Sequence, residues 1–136
     1  FGQVAPADLD ASFHTNAAGP FLLTQALASR LAEGGVVANI SSEVGSIGLR
    51  QEFRTPSYAI GKAAQNMATS LLAQALSTRH VTVVALHPGW VRTDMGGQNA
   101  ALSVEESAAG LLHVIDRLTP DDSGSFLDWQ GQSLPW

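Results

Sequence analysis

The chain of 136 residues contains no cysteine, which excludes disulfides, thiolate metal sites and cysteine nucleophiles together. It is also poor in charge. Asp, Glu, Lys and Arg make up 14% of the residues against 45% hydrophobic, with a net charge of −5 and no basic cluster. That balance argues against a nucleic-acid partner or an anionic membrane surface, and against a disordered or fibrous chain. No apolar run is long enough to span a bilayer and no signal peptide is visible, so a cytoplasmic protein without a membrane partner is expected. The histidines His14, His80, His87 and His113 lie far apart with no H-x-x-x-H pair, and no metal site is expected.

What is present alternates between helical and strand patterns. Residues 8–32 carry Phe13, Ala17, Phe21, Thr24, Leu27 and Leu31 at helical spacing. Gly19-Pro20 interrupts that stripe and should loosen or kink it, because proline brings no amide donor. An apolar run over 36–41 reads as a strand, and 43–56 as a polar loop. Ser57 is placed to cap a helix reaching about residue 77, with Ile60, Ala64, Met67, Leu71 and Ala75 as its apolar face. A second buried strand covers 81–86. Residues 93–102 lack periodicity and read as a mobile loop. Ser103-Val104-Glu105-Glu106 has the form of a capping box opening a last helix to about 118, and 125–128 forms a short final strand. Strands alternating with helices predict an α/β fold: a parallel sheet of three strands with helices on both faces, all in one unit spanning 1–136.

Tyr58 and Lys62 stand four residues apart on the second long helix, a spacing that stacks both on one face. A free tyrosine titrates near pH 10, and a neighbouring ammonium favours its phenolate and draws that value toward the working range. Taken alone, Y-x-x-x-K is a weak signal that any amphipathic helix can produce. Three further features accompany it: Asn16 in the first helix, Asn39-Ile40-Ser41-Ser42 at a strand end, and Pro88-Gly89-Trp90-Val91-Arg92-Thr93 after the next strand.

Together, in this order and spacing, these motifs resemble the short-chain dehydrogenase/reductase family. The closing stretch, from Gly124 to Trp136, is similar to its C-factor/sniffer-like carbonyl reductase branch. The resemblance implies a Rossmann-like, doubly wound parallel sheet and an oxidoreductase moving hydride between NAD(P)(H) and a carbonyl or alcohol substrate, with NADP slightly favoured over NAD. It implies Tyr58 as acid/base and Lys62 as its activator and a ribose ligand. Ser42 becomes the hydrogen-bond partner of the substrate oxygen, with Ser41 as the fallback, and Asn16 the holder of a relay water. Pro88, Gly89, Val91 and Thr93 would line the nicotinamide, and residues 94–102 would act as a substrate lid. The loop between Ser42 and Tyr58 is a few residues longer than the ordinary family spacing.

The resemblance covers the C-terminal half to two-thirds of such an enzyme. The family's opening strand and G-x-x-x-G-x-G turn, whose following helix holds the cofactor pyrophosphate, have no counterpart in this sequence. The expectation is therefore an incomplete Rossmann-like domain that carries the catalytic residues and binds the cofactor weakly by itself. The first strand would then be an open sheet edge. The family also implies a homo-oligomer formed through the long helices. The competing expectation is a non-catalytic fragment of the same family that acts through protein–protein association or signalling.

Overall fold

The computed structural model describes residues 2–136. Helix α1 (Pro6–Phe13) starts at a proline, whose missing amide is no loss in a first turn. It runs through a π-turn (His14–Ala18) into α2 (Gly19–Leu27) and a 3-10 turn, Ala28–Arg30. Strand β1 (Val36–Ile40) follows, then the 3-10 turn Glu43–Gly45 and the long helix α3, Pro56–Leu76. The chain continues through β2 (Thr82–His87), α4 (Val104–Arg117) and β3 (Phe126–Asp128). The strands form a parallel sheet in the order β1-β2-β3, with Val36 opposite Thr82 and Leu86 opposite Leu127.

β2 is buried along its whole length, as a central parallel strand covered on both faces should be. One face carries Val83 and Val37 against Leu72, Ala73 and Leu76 of α3, with Phe21 of α2 at the margin. The other carries Val84, Leu86 and Leu127 against Leu111, Val114 and Ile115 of α4. The three-layer arrangement agrees with the sequence reading, and β1 is an edge strand among the described residues.

Two local expectations are corrected. Ser57 does not cap α3: the helix begins one residue earlier, at Pro56, behind Thr55 in a left-handed conformation (φ 43°). The Ser57 carbonyl accepts instead from Ser12 Oγ of α1 at 2.8 Å. The anticipated apolar face of α3 points away from the sheet: Ile60, Met67 and Leu71 are 54%, 63% and 49% exposed. The face turned to β1 is largely polar, carrying Lys62, Gln65, Asn66 and Thr69 above Leu72 and Leu76. A hydropathy stripe marks burial only where the inner face lacks polar partners. Here β1 supplies them, with Asn39 Nδ2 donating to Thr69 Oγ1 (2.9 Å) and Ser41 Oγ to Asn66 Oδ1 (2.6 Å).

At Gly19-Pro20 the expected disturbance of the first helix takes the form of a π-turn, His14–Ala18. The Gly19 amide donates to the His14 carbonyl in a π-turn just before the proline. Widening the helix by one residue accommodates a ring that would clash in a regular turn.

Candidate active site

The carboxyl ends of β1 and β2 open onto a crevice, where parallel α/β sheets ordinarily place ligands. Beyond β1, Ser42 lies extended and its hydroxyl accepts from the Val44 amide at 3.3 Å, turning the chain into Glu43–Gly45. Ser42 is half-buried, whereas Ser41 is buried and committed to Asn66. Of the two serines the structure leaves Ser42 accessible. Gly45 lets this turn lie directly on α3: a Cβ at that position would stand 2.7 Å from the Lys62 carbonyl carbon and 2.8 Å from its Cβ.

Tyr58 is the only tyrosine of the chain and Lys62 its only lysine. They occupy the same face of α3, with the Lys62 ammonium 5.7 Å from the Tyr58 ring centre. Tyr58 is half-buried and lines a cleft of about 1010 Å³ together with Glu43, Leu49, Arg50, Trp90 and Met95. Lys62 is 9% exposed. Its Nζ donates to the Ile40 carbonyl at the end of β1 and to Gln65 Oε1, each at 2.9 Å. Burial lowers its pKa from the ordinary lysine value, because a charged amine loses hydration there.

Asn16 lies in the π-turn, and its amide donates to the Ser12 carbonyl (3.0 Å) and hydroxyl (3.2 Å). Ser12 in turn donates its hydroxyl to the Ser57 carbonyl in the first turn of α3, so Asn16 is tied through Ser12 to the residue before Tyr58. The contact is close because Gly61 has no side chain; a Cβ there would lie 2.4 Å from Ser12 Oγ.

Pro88 and Gly89 leave β2 half-buried. The Pro88 carbonyl accepts from Ser107 Oγ of α4 at 2.6 Å, which fixes the start of the next loop. The loop over residues 93–102 has no regular helix or strand and is closed at its base by backbone bonds, Arg92 N to Leu102 O (2.8 Å) and Leu102 N to Trp90 O (3.1 Å). Val91 sits at that closure. The Thr93 hydroxyl accepts from the Gly96 amide at 3.1 Å, and Trp90 Nε1 donates to the Gly96 carbonyl at 2.9 Å. Side-chain-to-backbone bonds of this kind order a segment without any hydrophobic period.

Two residues escaped the sequence reading. His87 ends β2, 9% exposed, and its Nδ1 accepts from the Glu43 amide at 3.3 Å. Its Nε2 stands 3.7 Å from the Glu43 carboxylate. Burial pulls the His87 pKa below the usual imidazole value, opposed by the charges of Glu43 and Asp128. Gln65 is the second; the signal that could have found it is the polar spacing 62, 65, 66, 69 along α3.

The same fold recurs in known proteins. The family model for short chain dehydrogenases matches residues 1–102. The chain belongs to this family. C-signal of Myxococcus xanthus is 41% identical over 137 residues, covering 99% of this chain and 82% of the relative. The carbonyl reductase Sniffer of D. melanogaster superposes with a TM-score of 0.95 at 31% identity, over 98% of this chain and 59% of that one. The NADPH-bound carbonyl reductase from chicken fatty liver gives 0.90 at 38% identity over the same shares. The short-chain dehydrogenase chain thus spans a little over half the length of either reductase, and its sheet is the corresponding part of a Rossmann-like fold. Among the described residues no helix is long and apolar enough to cross a membrane.

Proposed function

We propose that residues 1–136 are the catalytic part of a Rossmann-like domain in an NAD(P)-dependent oxidoreductase acting on a small carbonyl or alcohol substrate. One observation carries this reading: a buried ammonium with only neutral hydrogen-bond partners stands behind the one tyrosine that opens into the cleft. The NADPH named with the chicken reductase supports NADP over NAD.

The donor set fits the nicotinamide end of such a cofactor. Lys62 has three N–H groups and gives two to protein, which leaves one for a ribose hydroxyl at the strand ends. When bound, the nicotinamide supplies or accepts the hydride. Tyr58 gives its proton to the carbonyl oxygen in reduction and takes it back in oxidation. Ser42 donates to the same oxygen, and the positive charge of Lys62 favours the phenolate left behind. Asn16, tied to Ser12, holds the relay water that returns a proton from solvent. Pro88, Gly89, Val91 and Thr93 line the nicotinamide. The exposed Ile60, Met67 and Leu71 of α3, with Leu23 and Leu27 of α2, support a homo-oligomer formed through the long helices.

The test is consumption of NADPH and NADH by the whole natural protein with a panel of aldehydes and ketones. Tyr58→Phe should lower turnover by roughly a hundredfold or more; a variant as fast as wild type overturns the reading. A second reading, association or signalling without catalysis, draws support from C-signal, whose length this chain covers by 82%, and from the edge strand β1. It would make biological activity indifferent to Tyr58→Phe, and a purified chain that stays monomeric without a partner would count against it.

A further inference from the structure

The Lys62 ammonium has no carboxylate within ion-pair distance among the described residues. The turn packed on it carries Glu43, whose carboxylate faces His87 instead. Asp8, Asp10 and His14 of the first helix are exposed. Tyr58 faces it, with its ring centre 5.7 Å from Nζ. A buried cation in such a setting is held by dipoles or it loses its proton, and the structure provides two of them, Ile40 O and Gln65 Oε1. The first is backbone and comes with the strand. The second is a choice of side chain.

We propose that Gln65 is a positioning residue for Lys62, holding its ammonium in place without neutralising it. The proposal rests on Tyr58 and Lys62 being the proton-transfer pair. Three residues apart on α3, the two side chains share a face, and Gln65 is 4% exposed, so solvent does not compete for its oxygen. Its own backbone is anchored, because Thr69 Oγ1 donates to the Gln65 carbonyl and accepts from Asn39 of β1, both at 2.9 Å. An amide suits the task. A leucine of similar size would take away one of two acceptors and favour the uncharged amine. A glutamate would keep the amine charged but pair with it, cancelling the field that favours the phenolate.

Because Lys62 is the only lysine, side-chain labelling with 15N-lysine yields one Nζ resonance, and its titration can be followed in the chain as it stands. Gln65→Leu should move that titration to lower pH by about one unit, and Gln65→Glu to higher pH by about as much, given the strength of hydrogen bonds to charged groups. In the whole natural protein both variants should slow turnover at least tenfold with little change in KM, since the first weakens the charge on Lys62 and the second cancels its field at the same step. Gln65→Glu preserves size and carries the titration test alone where Gln65→Leu does not fold. An unchanged titration in either folded variant overturns the proposal. So does an equal shift in Ser41→Ala, which removes the Ser41–Asn66 bond of the same buried seam without touching the Lys62 or Gln65 side chains. If the titrations move as stated while wild type reduces no carbonyl, the positioning of Lys62 holds and the oxidoreductase reading alone fails.

Discussion

Glu43 donates its backbone N–H to Nδ1 of His87, joining the turn after β1 to the end of β2. The bond requires Nδ1 to be unprotonated and so places the ring proton on Nε2, toward the Glu43 carboxylate. Because burial depresses the His87 pKa, the unfolded chain binds more protons in the window between that depressed value and about 6.5. Stability from this site therefore rises with pH through the window and falls on acidification. Denaturant melts between pH 7 and 5 should show the decline, and His87→Gln, which keeps an acceptor but cannot titrate, should flatten it. A decline of equal size in the variant would assign it to other groups.

Two glycines set how closely helix α3 is approached, and they differ in what surrounds them. At Gly61 the nearest atom is the Ser12 hydroxyl, so Gly61→Ala should destabilise the fold by about 1–3 kcal/mol and Ser12→Ala should recover part of that. At Gly45 the obstructing atoms are the backbone and Cβ of Lys62. Gly45→Ala therefore has no trimming partner and should cost at least as much, displacing the turn that carries Ser42. Chemical denaturation of the two single variants and the double variant measures this directly.

Helix α4 begins with the capping box anticipated from the sequence: Ser103 Oγ accepts from the Glu106 amide at 3.1 Å, and Glu106 Oε2 from the Ser103 amide at 2.8 Å. Ser103→Ala should cost about 1 kcal/mol. The Ser103 bonds, backbone first, hold the Glu106 pKa below the ordinary carboxylate value. That contribution is complete above the unfolded pKa and is lost as pH falls through the folded one. Melts on the acid side should therefore be less steep in Glu106→Gln than in wild type.

The outer face of α3 tests the proposed oligomer. Met67 and Leu71 are exposed and one helical turn apart. Replacing both by Glu should leave thermal stability nearly unchanged, because neither is in the core, while shifting sedimentation to the monomer. A monomeric wild type, or an unchanged oligomer in the variant, would remove these helices as the interface.

The order of elements was legible because strands buried on both faces read as plain apolar runs, as at 81–86, and because Ser103 and Glu106 spell a cap. The family was legible through the joint order and spacing of its motifs, although the tyrosine and lysine alone carried little. The inner face of α3 was not. Its burial depends on Asn39 and Ser41 arriving from another element to satisfy Asn66 and Thr69, and no periodicity within the helix records that meeting. The π-turn was not legible either: Gly19-Pro20 announces a disturbance, while the bond that absorbs it, from the Gly19 amide to the His14 carbonyl, has no signature in side-chain spacing.

The seam between β1 and α3 also acts as a ruler. Oily surfaces slide over one another at little penalty, whereas Asn39 with Thr69, Ile40 with Lys62 and Ser41 with Asn66 are three rungs at fixed stations along the strand. A slip of α3 by one helical turn, about 5.4 Å, would break every rung and strand buried polar groups. The helix is thereby indexed along its axis, and the distance from the strand end to the Tyr58 hydroxyl becomes a property of the scaffold rather than of the ligand that fills the cleft.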